Sequence, residues 1–224
     1  MKKWLGLIAC IGCLALPATA QLDSAGTPSF ELGGGYTYRS FNGPSFPNPN
    51  YGVSGGPEPR MSMNGWFATV DYNFNGFIGV VTDIDWTRAS VPNDPNFAGD
   101  NTFSSVLVGP QIYPMGHHII SPFAHVEFGL AHFNNDISNF SFGTGCDTPG
   151  SLANPPFTCS LTEGSFAVAA GGGVDISLGP HFAVRLAQLD WEHSRMFEPG
   201  GATGNSDQNN WKFKAGVIFR FGER

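Results

Sequence analysis

The sequence predicts an all-β fold: an eight-stranded antiparallel transmembrane β-barrel of the up-and-down kind, with short periplasmic turns and long extracellular loops. Three observations predict it. Eight runs of residues alternate apolar and polar side chains. The connections between these runs alternate between short and long. The chain also begins with the pattern of an export signal.

The first twenty residues carry this export signal. Lys2 and Lys3 provide a basic start, an apolar stretch follows, and "ATA" is a small-residue cleavage site. The apolar stretch is too short to cross a bilayer as a helix. We therefore expect a cleaved signal peptide at 1–20, a short N-terminal segment at 21–28 and an outer-membrane barrel domain at 29–224.

Composition excludes two other classes of protein. Removing Lys2 and Lys3 with the signal peptide leaves nine basic residues against 18 acidic ones, a formal charge of −9. Nucleic-acid binding needs a basic surface, which is missing here. The mature sequence also has no run of eighteen apolar residues, so it predicts no membrane-spanning helix.

The eight strands are predicted in runs rich in Val, Phe, Gly and Thr, at 29–41, 61–74, 76–89, 102–113, 119–134, 164–178, 181–194 and 211–222. Three connections are short turns, "NFNG", "PMGHH" and "LGPH". The other four are long and rich in Pro, Gly, Asn and Ser, at 42–60, 90–101, 135–163 and 195–210. Short turns at one end, long loops at the other and an even strand number are typical of outer-membrane barrels.

Each strand has one apolar face, which we expect to meet lipid. Its members in strand order are Phe30, Leu32, Tyr36, Tyr38; Trp66, Ala68, Val70, Tyr72; Ile78, Val80, Ile84, Trp86; Val106, Val108, Ile112; Ala124, Val126, Phe128, Leu130; Phe166, Val168, Val174, Ile176; Val184, Leu186; Trp211, Phe213, Val217, Phe219, Phe221. Aromatic residues near strand ends would form the interface girdles, with Phe133 and Trp211 toward the outer leaflet. A soluble barrel with an apolar interior would show the reverse pattern.

The opposite faces carry charges of both signs, which we expect to fill the lumen. The predicted network is Glu31, Arg39, Asp71, Asp83, Asp85, Glu127, Asp175, Arg185, Lys212, Lys214 and Arg220. Buried charges are tolerated when they are paired, whereas charges facing lipid cost a few kcal/mol each near the midplane.

Strand seven breaks the alternation, because Leu189 and Trp191 fall out of phase with Val184 and Leu186. A β-bulge near residues 187–188 would restore it. Gln188, Asp190 and Glu192 would then point into the lumen while Leu189 and Trp191 face lipid.

Three segments carry a family resemblance: "FELGGGYTYRSF", "SFAVAAGGGVDISLGPHFAVRLAQLDW" and "WKFKAGVIFRF". The chain resembles the small eight-stranded outer-membrane barrels typified by the OmpA transmembrane domain, over nearly its whole mature length. In that family the last strand ends in alternating aromatic residues that the barrel assembly machinery recognises. The resemblance therefore implies an assembly signal at Phe219 and Phe221, although Gly222, Glu223 and Arg224 follow it here. It also implies a monomer in the outer membrane of a Gram-negative cell.

No catalytic, metal or cofactor site is predicted. Glu192, His193 and Ser194 suggest a lipid-modifying esterase at the barrel rim, but adjacent strand residues point to opposite faces. The Asp83–Asp85 pair is expected to meet lumen cations, and His117-His118 lacks further ligands at metal spacing. The "GGG" motifs lack the context of a phosphate loop.

We therefore expect a structural or surface-interaction barrel whose loops face an extracellular ligand. Outer-membrane lipid and the assembly machinery are its other expected partners. A rim esterase and a narrow porin-like channel are the alternatives, although eight strands leave an interior that side chains can fill.

Cysteine placement generates a testable prediction. Cys10 and Cys13 lie in the signal peptide, where neither has the usual context of a lipoprotein signal. Cys146 and Cys159 lie in the long 135–163 connection, and in an exported protein we expect them to form a disulfide. A loop of this size is stabilised by roughly 3 kcal/mol. Mass spectrometry of the exported protein should find one disulfide, which can be reduced without unfolding the barrel, and two free thiols would contradict the prediction.

Overall fold

The structure is a computed structural model and describes residues 27–41, 60–91, 98–138, 158–197 and 205–223. The predicted signal peptide and Cys146 lie outside these residues. Among the described residues, no helix is long and apolar enough to span a membrane.

Eight strands form one closed barrel in chain order, as the sequence predicts. They are β1 (Pro28–Phe41), β2 (Met61–Asn73), β3 (Ile78–Val91), β4 (Ala98–Ile112), β5 (Ile120–Ser138), β6 (Thr158–Gly179), β7 (Phe182–Phe197) and β8 (Asn205–Glu223). Every neighbouring pair is antiparallel, and β8 closes on β1. The turns β2–β3, β4–β5 and β6–β7 lie at one end, which we call the short-turn end, and the opposite end is the loop end.

The strands are staggered around the barrel. Following the paired residues from Ala167 on β6 through every strand leads back to β6 at Ser177, ten residues further along. A stagger of this kind accompanies a strand tilt of roughly 35–45°. Side chains from distant parts of the sequence therefore meet at one level of the lumen.

Most strands run further toward the loop end than the sequence predicts. The β5–β6 ladder continues to the Ser138–Thr158 pair, and the β7–β8 ladder continues to Phe197 and Asn205. The predicted loops 90–101, 135–163 and 195–210 are therefore shortened by added strand. Alternation of apolar and polar residues reveals a strand only where one face of the strand is apolar. These extensions are mostly polar on both faces, so the sequence does not reveal them although their backbones remain paired.

The outer surface is apolar and the interior is polar, as expected from the alternation. Phe128 is 50% exposed, whereas its neighbour Glu127 is fully buried. The outward faces of all eight strands carry exposed large apolar side chains, among them Leu32, Trp66, Ile84, Val106, Leu130, Phe166, Leu189 and Phe219.

The predicted bulge in β7 is confirmed. The β7–β8 register shifts between Arg185 and Gln188, where β7 carries one residue more than β8. Leu186 also has no partner on β6, since Arg185 pairs with Asp175 and Ala187 pairs with Val174. The extra residue returns Gln188, Asp190 and Glu192 to the interior.

The prediction for Phe133 is wrong. It was placed in the outer aromatic girdle, but its side chain is 4% exposed and lies inside the barrel. Glu127, Ala131 and Phe133 are separated by even numbers of residues along β5, so strict alternation places all three on the inner face.

The outer face of β5 generates a prediction. Val126 is 51% exposed midway along the apolar part of β5. Val126→Lys should lower the free energy of unfolding in lipid vesicles by roughly 2–4 kcal/mol, since a cation at the bilayer midplane carries that cost. Val126→Leu, the matched control, should change it by less than about 1 kcal/mol because it remains apolar. Denaturant titration in vesicles measures both values, and equal effects would contradict the orientation.

Candidate functional site

The lumen contains every residue of the predicted charge network. All eleven side chains are buried, and the most exposed of them, Arg220, is only 4% exposed. All of them except Glu127 belong to three groups along the barrel axis, which we call the upper, central and lower clusters, counted from the loop end.

The upper cluster connects β1, β3, β7 and β8. The Arg39 guanidinium donates to carboxylate oxygens of Asp85 and Glu192. Lys212 Nζ lies 2.9 Å from Asp85 Oδ2 and 2.8 Å from Glu192 Oε2. Ser105 Oγ donates to Asp85 Oδ2 at 2.9 Å. Two cations and two carboxylates therefore alternate, and each charge has at least two partners of opposite sign.

The central cluster is built around Lys214 on β8. Its ammonium group donates to Asp83 and lies 3.4 Å from Asp190 Oδ2. His125 Nε2 lies 3.1 Å from Asp190 Oδ1, and Gln188 Nε2 donates to Asp190 Oδ2 at 2.8 Å.

The lower cluster holds two arginine–carboxylate pairs near the short-turn end. Arg185 donates from two nitrogens to both oxygens of Asp175, at 2.9 and 3.1 Å, and lies 3.7 Å from Asp71. Arg220 Nε donates to Glu31 Oε1 at 2.6 Å. The Tyr113 hydroxyl donates to the other Glu31 oxygen at 2.9 Å.

Sequence reasoning left several network members out of its site. Asp190, Glu192 and His125 were assigned to the inner face but not to the charge network, yet each makes a buried ion pair or hydrogen bond. The alternation restored after the β7 bulge places Asp190 and Glu192 inside, and the alternation along β5 places His125 inside.

An apolar plug closes the lumen above the upper cluster, and the sequence analysis missed it. The plug consists of Phe41, Met63, Phe103 and Phe133, with Leu107 and with alanines from three strands around them. The Phe41 ring centroid lies 5.4 Å from that of Phe103 and 5.1 Å from that of Phe133. The Arg39 guanidinium lies 3.8 Å from the Phe103 ring centroid, which joins the plug to the ion pairs.

Glycines in β6 leave room for the network. A Cβ atom on Gly171 would lie 2.2 Å from Asp190 Oδ1 and 2.5 Å from the Leu189 carbonyl oxygen. The second "GGG" motif therefore permits close packing of β6 against β7.

The residues proposed for rim chemistry are separated by the strand. Glu192 and Ser194 are buried in the lumen, whereas His193 lies outside, with its ring 5.8 Å from that of Trp191. His193 Nδ1 lies 3.1 Å from Asn209 Oδ1. Among the described residues, no group of three or more His, Cys, Asp or Glu residues could hold a metal ion.

The β4–β5 turn brings His117 against the short-turn end of the lumen. Its ring centroid lies 4.0 Å from that of Tyr113, and neither ring nitrogen has a hydrogen-bond partner. Burial lowers the pKa of His117 to about 4, so the ring is neutral near neutral pH. His117 thus covers the lower cluster as an uncharged ring.

The closed eight-stranded barrel has an apolar exterior, and the family model described as "Outer membrane protein beta-barrel domain" matches residues 6–221. The chain belongs to this family. It is therefore an outer-membrane β-barrel protein, as the resemblance implied, and the outer membrane is its location.

Two proteins of known structure have the same fold as this outer-membrane barrel. Ail, the attachment invasion locus protein of Yersinia pestis, has a TM-score of 0.52 at 18% identity, covering 87% of this chain and 99% of that one. Neisserial surface protein A, NspA, has a TM-score of 0.52 at 11% identity, covering 86% and 97% of the two chains. Ail has also been solved with the heparin analogue sucrose octasulfate, at 17% identity and a TM-score of 0.50, covering 88% of this chain and 100% of that one. A search of curated protein sequences found no match.

Two predicted features of this outer-membrane barrel remain predictions. Phe219 and Phe221 are each 50% exposed on the outer face of β8, but their role as an assembly signal is a separate question. The Cys146–Cys159 disulfide involves one residue outside the described part of the chain. Cys159 itself lies on β6, where its backbone pairs with Ile137.

The upper cluster generates a prediction. Lys212→Met should lower the free energy of unfolding by about 3–5 kcal/mol, because it leaves Asp85 and Glu192 buried with one cation between them. Arg88→Met is the matched control: Arg88 pairs with Asp100 on the exterior, where its side chain is 50% exposed. Such surface pairs contribute about 1 kcal/mol or less. Chemical denaturation in detergent compares the two variants, and equal losses would show that the lumen pairs contribute no more than surface pairs.

Proposed function

We propose that this outer-membrane barrel is a rigid, non-catalytic support that presents its extracellular loops to a surface partner. The observation that carries this proposal is the filled lumen. The plug, the three clusters and the Tyr113–His117 contact occupy the interior from the loop end to the short-turn end. A barrel whose interior is packed with paired side chains offers its exterior and its loops for function.

The strand extensions support the same proposal. β5 and β6 remain paired to Ser138 and Thr158, and β7 and β8 remain paired to Phe197 and Asn205. Backbone pairing of this kind fixes the points from which the connecting loops leave the barrel. Rigid scaffolds that carry variable loops are a common way to build binding surfaces.

Charge distribution favours a neutral or cationic partner. Five of the nine basic residues of the mature chain are buried in the lumen, which leaves four elsewhere. Eight acidic residues are buried there as well, which leaves ten others. Outside these lumen residues the mature sequence therefore has ten acidic and four basic residues, and a net negative charge of this size repels polyanions. The heparin analogue bound to Ail therefore does not transfer to this chain, and we propose that its own ligand is not a sulfated glycan.

Two alternatives have less support. A narrow channel needs a continuous path, and the plug and the ion pairs occupy that path in the described residues. A rim esterase needs a base and a nucleophile in contact, whereas His193 and Ser194 lie on opposite faces of β7.

Electrical recording and gel mobility test the proposal together. The purified protein should migrate as a compact species on SDS gels until it is boiled, because the closed barrel resists detergent. In planar lipid bilayers it should give no steady conductance, while a porin in the same bilayers gives open channels. A stable conductance from protein that still shows the heat-dependent shift would favour the channel instead.

Surface binding is tested separately. Cells that carry the barrel should bind no more labelled sucrose octasulfate than cells without it. They should bind more of a cationic probe such as polylysine, and salt should weaken that binding. Salt-sensitive binding of sucrose octasulfate would contradict the proposed partner class.

A further inference from the structure

The lumen contains more acid than base. Its eight buried carboxylates are Glu31, Asp71, Asp83, Asp85, Glu127, Asp175, Asp190 and Glu192, and its five buried cations are Arg39, Arg185, Lys212, Lys214 and Arg220. Even if His125 were charged, acid would still exceed base among the described lumen residues. Uncompensated charge is costly in a buried site, so an acid there tends to be neutralised.

Glu127 is the carboxylate that the network leaves out. It is fully buried at the middle of β5, and neither of its oxygens has a hydrogen-bond partner. Asp71 also lacks hydrogen bonds, but Arg185 lies 3.7 Å from one of its oxygens. Glu127 forms no ion pair with any described residue.

The strands beside Glu127 supply no donor. On β6 it pairs with Ala169, and on β4 it lies beside Gly109, where an added Cβ would lie 2.8 Å from the Glu127 Cα. The charged groups that act on it are Asp83 from β3, His125 from its own strand, and Lys214 and Lys212 from β8. The three basic groups are already engaged with other carboxylates, namely Asp190, Asp83, Asp85 and Glu192.

Asp83 offers the matching acceptor. One of its oxygens accepts from Lys214, while its Oδ1 is buried without a partner. Gly109 on β4 lies between Glu127 and β3. Because it has no side chain, no β4 side chain separates Glu127 from β3 at this level. Two carboxylates with free oxygens in the same dry lumen repel each other when both are ionised, and a single proton between them removes the repulsion.

We propose that Glu127 is a proton-binding site of the barrel interior, occupied at neutral pH, in which the protonated carboxyl donates a hydrogen bond to Asp83 Oδ1. The proton comes from solvent, and no other reactant is needed. A metal ion is a poorer fit, because hard cations need six or more oxygen ligands and the described residues include no metal-binding group.

Proton binding by the folded barrel has a definite sign. The folded state then holds a proton that Glu127 in the unfolded chain releases above about pH 4.3. Stability therefore falls as pH rises from about 4.3 to the pH at which folded Glu127 also loses its proton, by up to tenfold in the folding equilibrium per pH unit. His117 acts in the opposite direction, because it is neutral in the folded state, so the comparison must isolate Glu127.

Infrared spectroscopy and unfolding measure the site directly. Wild-type protein in detergent at about pH 7 should show the carbonyl band of a protonated carboxyl group in the dry interior. Glu127→Gln should remove the part of that band that belongs to Glu127, and an unchanged band would contradict the proposal. It should also reduce the loss of stability between about pH 5 and pH 8, because the amide is neutral throughout and can donate to Asp83. Glu31→Gln, the matched control, should keep the band and weaken the barrel at every pH, because Glu31 is paired with Arg220.

A second variant keeps the test decisive if Glu127→Gln does not fold. Asp83→Asn removes the neighbouring charge, so the Glu127 band should disappear at a lower pH than in the wild type. Absence of a protonated carboxyl band from the wild type at about pH 7 would overturn the proposal. So would stability that depends on sodium at constant ionic strength, because it would indicate a bound metal cation instead.

Discussion

Closure of β8 on β1 is the constraint on which the rest of the structure depends. In lipid, each unpaired backbone N–H or C=O costs several kcal/mol, so a sheet with open edges cannot span the bilayer. Twelve residue pairs join β1 to β8, from Pro28–Glu223 to Ser40–Trp211. Closure fixes which face of each strand points inward, and the outer face must then be apolar. Polar side chains are consequently confined to a narrow interior, where they must satisfy one another.

The ion pairs consequently connect strands that are not neighbours in the sheet. Lys212 on β8 meets Asp85 on β3, and Arg39 on β1 meets Glu192 on β7. Backbone ladders hold adjacent strands only, whereas these contacts cross the lumen. Arg39 also packs on Phe103, so the polar clusters and the apolar plug form one continuous filling. The filling resists flattening of the barrel, which a ring of backbone hydrogen bonds alone does not.

The fold and the inward or outward orientation of most side chains could be predicted from the sequence. In a membrane barrel every second residue of a strand faces lipid and must be apolar, which gives a pattern with a period of two. The rule even located the β7 bulge, since Leu189 and Trp191 would otherwise face the lumen. It stops at the membrane boundary: the Asn205–Asn210 part of β8 is polar throughout, so only the structure shows that it is strand. The ion-pair partners of the lumen side chains could not be predicted from the sequence either. Alternation places Lys212 inside, but the ten-residue stagger decides that it meets Asp85. Phe133 was misplaced because its aromatic character was given more weight than its parity.

The inside-out arrangement also bears on how far such sequences can diverge. A side chain against lipid has no shaped neighbour to fit, so Leu, Val, Ile and Phe are nearly interchangeable there, and about half of each strand can drift freely. The lumen is different, because a residue such as Asp85 has fixed partners on three other strands. Barrels of this kind can therefore share an architecture at 11–18% identity, as this chain does with Ail and NspA. Sequence differences at the inward-facing positions should therefore distinguish the branches of the family and their functions. Differences at the lipid-facing positions should carry little information beyond the need for an apolar side chain.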